Sequence, residues 1–136
     1  MRGRGDARAP RPRRPVRRAD GGAELAAALA ACSERKAVDG VVLDLFGLSD
    51  ATDHFVIVSG TSDTHVRAIA EHVLDTLRGC GVRAHHVEGL SAGRWVLLDF
   101  VDFVVHVFHP SLREFYQLER LWGDAPHRPL ESGEEA

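Results

Sequence analysis

The sequence predicts one α/β domain, in which a mixed sheet of about five strands packs against helices. Two stretches, residues 23–37 and 61–79, repeat apolar side chains every three or four positions, as amphipathic helices do. Between and after them lie short stretches rich in valine, leucine and phenylalanine, bounded by glycine, proline or polar residues, which is typical of strands. The resulting order of elements is α-β-β-α-β-β-β-α.

Each element has its own sequence signal. We expect helices at residues 23–37, 61–79 and 111–122 and strands at residues 41–45, 55–59, 82–87, 94–100 and 103–108. Thr61, Ser62 or Asp63 provides the N-cap of the second helix. Ser111 and Glu114 have the spacing of a capping box, which predicts that the last helix begins at Ser111. The short link between the first two strands predicts that they pair antiparallel.

The net charge of −3 conceals two parts of opposite sign. Residues 1–18 contain eight arginines and one aspartate, a net charge of +7, whereas residues 19–136 contain nine basic and nineteen acidic side chains, a net charge of −10. Residues 1–22 are rich in proline, glycine and arginine without apolar periodicity, so we predict a disordered basic arm. The folded domain then spans residues 23–123, and residues 124–136 form a flexible acidic tail.

The basic arm has more than one interpretation. Arginine side chains neutralise nucleic-acid phosphates without needing a folded structure, and the arm offers Arg11, Arg13, Arg14, Arg17 and Arg18 for RNA contact. A solvated tail without a fixed partner, or an incorrectly assigned start codon, explains the same composition. A transit peptide is disfavoured because the segment contains no serine and is interrupted by prolines.

Composition also bears on membrane and redox classes. No apolar run approaches the roughly 18–20 residues needed to span a bilayer, and the amino-terminal segment does not resemble a signal peptide. Cys32 and Cys80 have neither zinc-site nor redox-motif spacing. We therefore expect a cytoplasmic protein with two free thiols.

The last two strands predict a hairpin with two unlike faces. If Val101 and Asp102 form a two-residue turn, Trp95 lies opposite Phe108. One face is then wholly apolar and must pack on the helices; it consists of Val96, Leu98, Phe100, Phe103, Val105 and Val107. The other face, which we call the mixed face, consists of Trp95, Leu97, Asp99, Val104, His106 and Phe108. It is either a second core layer around a satisfied polar pair or an exposed docking surface with an aromatic anchor.

Metal-binding patterns are weak in this chain. His85 and His86 point to opposite faces of a strand, and His65 and His72 lie two turns apart on a helix. Neither a Cys-x-x-Cys nor a His-Glu-x-x-His motif occurs, so we expect no metal and no cofactor.

The enzyme alternative rests on a turn that precedes the second helix. Gly60-Thr61-Ser62 could hold a phosphate on free backbone N–H groups, but it lacks the lysine of a P-loop and the GxGxxG spacing. A nucleotidyl transferase places two Mg²⁺-binding carboxylates on a neighbouring strand, whereas residues 82–88 contain only Glu88. A nucleotide-binding or nucleotidyl-transfer enzyme is therefore the alternative, and a protein without enzymatic activity is favoured.

Seven short stretches stand out in order over about residues 24–125. They are Leu43-Asp44-Leu45, residues 52–57, Gly60-Thr61-Ser62, Val87-Glu88-Gly89, residues 94–100, Asp102 with Val105-His106-Val107-Phe108, and residues 113–122. Together they resemble the ribosomal silencing factor (Iojap-like) family. The basic arm and the acidic tail lie outside this resemblance.

The resemblance implies a function and a fold. Members of this family bind the large ribosomal subunit through the conserved ribosomal protein numbered fourteen, on the face that meets the small subunit. The implied activity is translation repression by blocking subunit joining, notably when nutrients are scarce, in a fold similar to nucleotidyl transferases without their catalytic carboxylates. Further partners to be tested are ribosomal RNA, through the arm, and a second copy of the chain.

The resemblance also implies the contact residues. Trp95 falls at the position of the family's interface tryptophan, which favours the docking interpretation of the mixed face. We expect contacts from Trp95, Leu97, Asp99, His106 and Phe108, with Glu88 and Ser91 on the adjoining loop. One departure concerns the hairpin turn, where the family usually has Gly-Asp and this chain has Val101-Asp102. A β-branched residue resists positive φ, so this departure questions the two-residue turn and the register drawn from it.

Overall fold

The computed structural model describes residues 21–112 and 125–130. The elements are α1 (Gly22–Glu34), β1 (Val38–Asp44), β2 (His54–Ser59), α2 (Asp63–Gly79), β3 (His86–Glu88), β4 (Trp95–Asp99), β5 (Phe103–Phe108) and β6 (His127–Pro129). The strands form one mixed sheet in the order β3-β4-β5-β2-β1-β6. This architecture confirms the α/β class, with six strands where the sequence predicted about five.

The topology follows from the connection lengths. β2 pairs antiparallel with β1, as predicted from their short link, and parallel with β5. A parallel pair needs a long crossover, which is provided by α2 together with the β3–β4 hairpin. Helices α1 and α2 therefore pack on the same face of the sheet.

The core on the helix side contains the predicted apolar face of the last hairpin. Val96, Leu98, Phe100, Phe103, Val105 and Val107 are buried in one cluster with residues of both helices. Leu25 and Cys32 contribute from α1, and Val66, Ile69 and Leu77 contribute from α2. The period of the helices and the alternation of the strands thus converge on one hydrophobic layer.

Helix α1 ends three residues earlier than predicted, at Glu34 rather than Ala37. Lys36 adopts a left-handed conformation with φ 59°. Its N–H donates to the Ser33 carbonyl at 2.9 Å, and the Ala37 N–H donates to the Cys32 carbonyl at 3.0 Å. This is the Schellman arrangement that satisfies terminal carbonyls, here without the usual glycine.

Strand β3 is shorter than predicted because its partner is short. Its three residues pair with Leu97–Asp99 of β4, and β4 ends at Asp99, where the next hairpin turns. Residues 82–85 therefore have no strand opposite them, although their sequence is compatible with an extended conformation.

Strand β6 was not predicted and lies in the segment that the sequence assigned to the acidic tail. His127–Pro129 pair antiparallel with Val41–Leu43 of β1. The Asp44 N–H donates to the Pro126 carbonyl at 2.8 Å, and the Leu130 N–H donates to the Gly40 carbonyl at 2.9 Å. A three-residue strand that contains proline gives almost no sequence signal, and proline is tolerated there because β6 is an edge strand.

The last helix begins one residue earlier than predicted. Pro110 is already helical, at the first-turn position that tolerates a residue without an N–H. The Ser111 N–H donates to Nδ1 of His109 at 3.3 Å, so the His109 side chain caps the first turn of this helix. The remainder of the predicted helix, including Glu114, lies outside the described residues.

Two further predictions concerned membrane-spanning helices and the state of the two cysteines. Among the residues that the structure describes, no helix has the length and apolar character needed to cross a bilayer. Cys32 is buried and Cys80 is exposed, and both are free thiols, as predicted.

The β4–β5 hairpin has the predicted register, with Trp95 opposite Phe108 and Asp99 opposite Val104. Val101 nevertheless adopts φ 78°, the conformation that its β-branched side chain resists. The Asp102 N–H donates to the Phe100 carbonyl at 3.0 Å, which makes a tight turn centred on Val101. The Val101 N–H donates to Oδ1 of Asp99 at 2.8 Å, so a buried carboxylate holds the strained residue in place.

We expect Val101→Gly to raise the free energy of unfolding by about 1 kcal/mol, because glycine adopts positive φ without a steric cost. Chemical denaturation would measure the change. Val38→Gly is the control, since Val38 is exposed at the start of β1 and has no positive φ; it should destabilise by roughly 1 kcal/mol. Equal destabilisation by both variants would contradict strain at Val101.

Candidate functional site

The mixed face continues across the whole sheet. It holds Trp95, Leu97 and Asp99 on β4 and Val104, His106 and Phe108 on β5. On the neighbouring strands the register adds Glu88 and His86 of β3, Phe55 and Ile57 of β2, and Val41 and Leu43 of β1. A second hydrophobic cluster forms here from Leu43, Leu45, Ile57, Phe108 and Ala125, with Phe55, Trp95 and Leu112 packed against it.

The mixed face is buried at its centre and partly exposed at the β3–β4 edge. Phe108 is fully buried, and Asp99 and His106 are each 4% exposed. Trp95 and Leu97 are half-buried, and Glu88 is exposed. Among the described residues, the second-core interpretation therefore applies to β5, whereas the mixed face is partly exposed along β3 and β4 and at Phe55 and Val41.

His106 lies at the centre of this face and bonds to the tryptophan. The indole Nε1–H of Trp95 donates to Nδ1 of His106 at 3.1 Å. Nδ1 is therefore the acceptor nitrogen, and in a neutral ring the proton lies on Nε2. Nε2 is buried without a hydrogen-bond partner. The imidazole of His106 accordingly has a defined orientation and tautomer.

Burial sets the charge of this imidazole. Desolvation lowers the pKa of His106 from 6.5 to about 4, and the nearby Asp99 carboxylate offsets only part of this effect. His106 is therefore neutral at neutral pH. The carboxylate of Asp99 meanwhile accepts from the Val101 N–H, so the two polar side chains of the mixed face each have a structural hydrogen bond.

Two further rings, Phe108 and Phe55, adjoin the indole–imidazole bond. The Trp95 ring stacks on Phe108, with centroids 5.1 Å apart and an interplanar angle of 25°. The His106 ring is nearly parallel to Phe108, at 11°, and makes a T-shaped contact with Phe55 at a centroid distance of 4.6 Å. Such stacked and edge-on contacts favour one rotamer of each aromatic side chain over the others.

The loop before Trp95 is held by two close backbone approaches. Gly89 has φ 81°, and a Cβ there would lie 2.1 Å from the Trp95 carbonyl oxygen. A Cβ on Gly93 would lie 2.6 Å from the Asp63 carbonyl oxygen at the start of α2. Nη1 of Arg67 on α2 also donates to the Ser91 carbonyl at 3.3 Å. These contacts fix the segment that leads from Glu88 to Trp95.

The predicted contact residues fall into two groups. Trp95, Leu97 and Glu88 share the partly exposed edge of the mixed face, and Ser91 is exposed on the adjoining loop. Asp99, His106 and Phe108 are buried, so their expected role changes from touching a partner to supporting the residues that can. The predicted RNA-contacting arginines, Arg11, Arg13, Arg14, Arg17 and Arg18, lie outside the described residues.

His86 and Phe55 also belong to this face and were not identified from the sequence. Nε2 of His86 lies 2.7 Å from a carboxylate oxygen of Glu88 on the same strand, so the edge carries a paired rather than an isolated carboxylate. Phe55 makes a T-shaped contact with the His106 ring from β2. The alternation of side chains along each strand predicts which side of its strand each residue faces. Only the pairing between strands places His86 and Phe55 on the same face as Trp95.

Three amides at the start of α2, where a phosphate would have to bind, already donate to side chains of the chain. The Thr61 N–H donates to Nδ1 of His65 at 2.8 Å, and the His65 N–H donates to Oγ of Ser62 at 3.1 Å. The Thr64 N–H donates to a carboxylate oxygen of Asp63, whose negative charge also opposes a phosphate. Ser62 is the N-cap, one of the three candidates from the sequence.

Clefts and metal ligands are sparse in the described part of the chain. Across residues 21–112 and 125–130, no three histidine, cysteine, aspartate or glutamate side chains come together as a metal site. A shallow, open groove of about 150 Å³ is lined by residues of β1, β2 and the β6 segment, namely Val42, Asp44, His54, Pro126, His127 and Arg128. It lies away from the aromatic edge at Trp95.

We expect the folded state to lose stability as the pH falls from about 6.5 to 4. In this window the unfolded chain binds a proton at His106 and the folded chain does not, because its pKa is lowered to about 4. The loss due to this residue is roughly 3 kcal/mol. Urea denaturation of the wild type and of His106→Asn at several pH values would measure it. Parallel pH profiles for the two proteins would show that His106 is not buried in its neutral form.

Comparison with known proteins places this fold in a family. The family described as "Ribosomal silencing factor during starvation" matches residues 19–136. A ribosomal silencing factor of Bacillus subtilis is 45% identical over 109 residues, which cover 80% of this chain and 92% of that protein. Another from Halalkalibacterium halodurans is 42% identical over 107 residues, which cover 79% and 92% of the two chains.

A solved structure agrees with the sequence relatives. The crystal structure of a protein from Chromobacterium violaceum superimposes with a TM-score of 0.72 and 35% identity, covering 74% of this chain and 83% of that one. The matched residues 19–136 contain every described strand and helix, including the unpredicted β6. The chain therefore belongs to the ribosomal silencing factor family.

Proposed function

We propose that this protein represses translation by binding the large ribosomal subunit and sterically preventing the small subunit from joining. The proposed partner is the conserved large-subunit ribosomal protein numbered fourteen. Membership of the family supports a role at the ribosome. One observation supports this mode of docking. The indole of Trp95 is half-buried at the sheet edge, where it is held in a fixed aromatic cluster.

The composition of the edge suits a protein partner. Trp95 and Leu97 offer apolar area, and Glu88 on the adjacent strand offers a negative charge at its rim. An aromatic anchor with a polar rim is typical of binding hot spots. Since residues 19–136 have a net charge of −10, the domain favours a partner that presents lysine and arginine side chains.

The proposed mechanism requires no turnover. A specific interface buries about 1,200–2,000 Å² in total, which a domain of this size can supply from the β3–β4 edge and its flanking loops. In this arrangement Trp95, Leu97, Glu88 and Ser91 touch the partner, while Asp99, His106 and Phe108 support them from below. A second copy of the chain remains an alternative partner for the same edge, which mass measurement in solution would reveal.

The nucleotidyl-transfer alternative has less support. It needs free amides at the start of α2 and a pair of carboxylates on a neighbouring strand. The amides of Thr61, Thr64 and His65 already bond to side chains of the chain itself. Mg²⁺-dependent nucleotide binding to the isolated protein would favour the enzyme over the proposed function.

We expect the protein to cosediment with purified large subunits and to reduce the formation of whole ribosomes. Steric occupation predicts that the two effects have the same dependence on protein concentration. Sucrose-gradient profiles at increasing protein concentration would measure both. Normal subunit association in the presence of saturating, bound protein would contradict the proposal.

We expect Trp95→Ala to weaken binding to large subunits about thirtyfold, since removing a central interface aromatic costs about 2 kcal/mol or more. Phe100→Ala is the control, because Phe100 is buried on the helix side and stacks on Phe103. It should lower the free energy of unfolding by about 3–5 kcal/mol. A binding titration and thermal unfolding of both variants would separate the two roles. If Trp95→Ala lowered the thermal stability as much as Phe100→Ala does and left binding unchanged, the docking surface would have to lie elsewhere.

We expect removal of residues 1–22 to flatten the salt dependence of ribosome binding while leaving specific docking largely intact. The arm's net charge of +7 supplies non-specific attraction to RNA that counterions weaken. Binding titrations of the full chain and the truncated chain at several salt concentrations would measure it. Complete loss of docking at low salt would make the arm the main binding element instead.

A further inference from the structure

We propose that His106 is a positioning residue, whose Nδ1 holds the indole of Trp95 in the one orientation that the docking partner meets. This inference rests on the proposed function and assigns a role to a side chain that cannot reach a partner itself, since it is 4% exposed. It explains why a polar ring lies at the centre of an otherwise apolar layer.

The acceptor is fixed before the indole binds to it. The His106 ring is nearly parallel to Phe108, at 11°, and makes a T-shaped contact with Phe55 at a centroid distance of 4.6 Å. Because the side chain is also buried, the imidazole has little freedom to rotate. Nδ1 therefore presents its lone pair along one direction, towards the β4 edge.

Two contacts with described residues constrain the indole independently. Its Nε1–H donates to Nδ1 of His106 at 3.1 Å, and its ring stacks on Phe108 at a centroid distance of 5.1 Å. Stacking alone allows the ring to slide and flip, whereas the directional hydrogen bond selects one orientation. A half-exposed tryptophan without that bond would have to be ordered when the partner arrives, which lowers affinity.

The chemistry of His106 is costly for stability and therefore points to another role. Nε2 is buried and has no hydrogen-bond partner among the described residues, a cost that an apolar residue of similar size would avoid. Burial also lowers the pKa of His106 to about 4, so Nδ1 remains an acceptor at neutral pH. A core optimised for packing alone would have leucine or phenylalanine here, and polar groups kept at such a cost concentrate at functional sites.

Two variants separate positioning from packing. In His106→Asn, the amide oxygen Oδ1 occupies the place of Nδ1 and can accept from the indole. In His106→Leu, the side chain has nearly the same volume but no acceptor. We expect His106→Leu to weaken binding to large subunits roughly three- to tenfold, and His106→Asn to restore most of the affinity.

The indole itself gives a direct readout in the full chain. The sequence contains two tryptophans, Trp95 and Trp122, so the Nε1–H resonance of Trp95 is assigned by its disappearance in Trp95→Phe. We expect that resonance to move towards the position of a freely hydrated indole in His106→Leu and to stay near its wild-type position in His106→Asn. The melting temperature of His106→Leu should not fall below that of His106→Asn.

A second genetic background keeps the test decisive if His106→Leu disturbs packing. Phenylalanine at position 95 has no N–H, so in Trp95→Phe the additional His106→Leu change should cost no further affinity. A further loss in that background, or wild-type affinity in the single His106→Leu variant, would overturn the positioning role.

Failure of the proposed function is distinguishable from failure of this inference. If the wild type does not bind large subunits, the docking proposal fails, yet the indole resonance still reports whether His106 orders Trp95. An indole resonance unchanged by His106→Leu would overturn the inference even if the wild type binds tightly.

Discussion

Strand β5 is buried along all six residues, and the remaining elements take their positions from it. It pairs parallel with β2 on one side and antiparallel with β4 on the other. Because adjacent residues of a strand face opposite sides, β5 places Phe103, Val105 and Val107 against the helices and Val104, His106 and Phe108 on the mixed face. The two layers of the domain are thus two sides of the same strand.

The register between β5 and β4 is the constraint that makes a functional edge. A slip by one residue would turn Trp95 into the helix-side core and expose its apolar neighbours. The tight turn at Val101 and the bond from its N–H to Asp99 oppose such a slip. A strained residue is tolerated here because the pairing on both sides of the turn determines its conformation.

Each of the two buried polar side chains of the mixed face, Asp99 and His106, makes a hydrogen bond that positions a neighbouring residue. Asp99 holds the turn, and His106 bonds to the indole at the edge. Neither side chain is accessible enough to be a contact, although both lie where an interface tryptophan needs support. The proposed docking edge would thus be supported by a buried layer, with its partly exposed residues on β3, β4 and the loop between them.

Much of the fold was predictable from local patterns. The α/β class, the antiparallel β1–β2 pair, the helix-side face and the hairpin register follow from alternation and helical period, which depend on neighbouring residues alone. The capping of the last helix by His109, the short β3 and the end of α1 at Glu34 were not predictable. Each of them depends on which partner a backbone group finds, and no local pattern specifies that partner.

The candidate site divides in the same way. The sequence by itself determined that Trp95, Asp99, His106 and Phe108 share one side of a hairpin, because side chains alternate along a strand. Only the tertiary structure decided that Phe108 and His106 are buried, that Trp95 remains at an edge, and that Glu88 and Phe55 come beside them. The burial of a face depends on the residues that cover it. Leu112 and Ala125 are among the residues that cover the mixed face, and they are distant from it in sequence. They reach it only when the sheet and its flanking segments have come together.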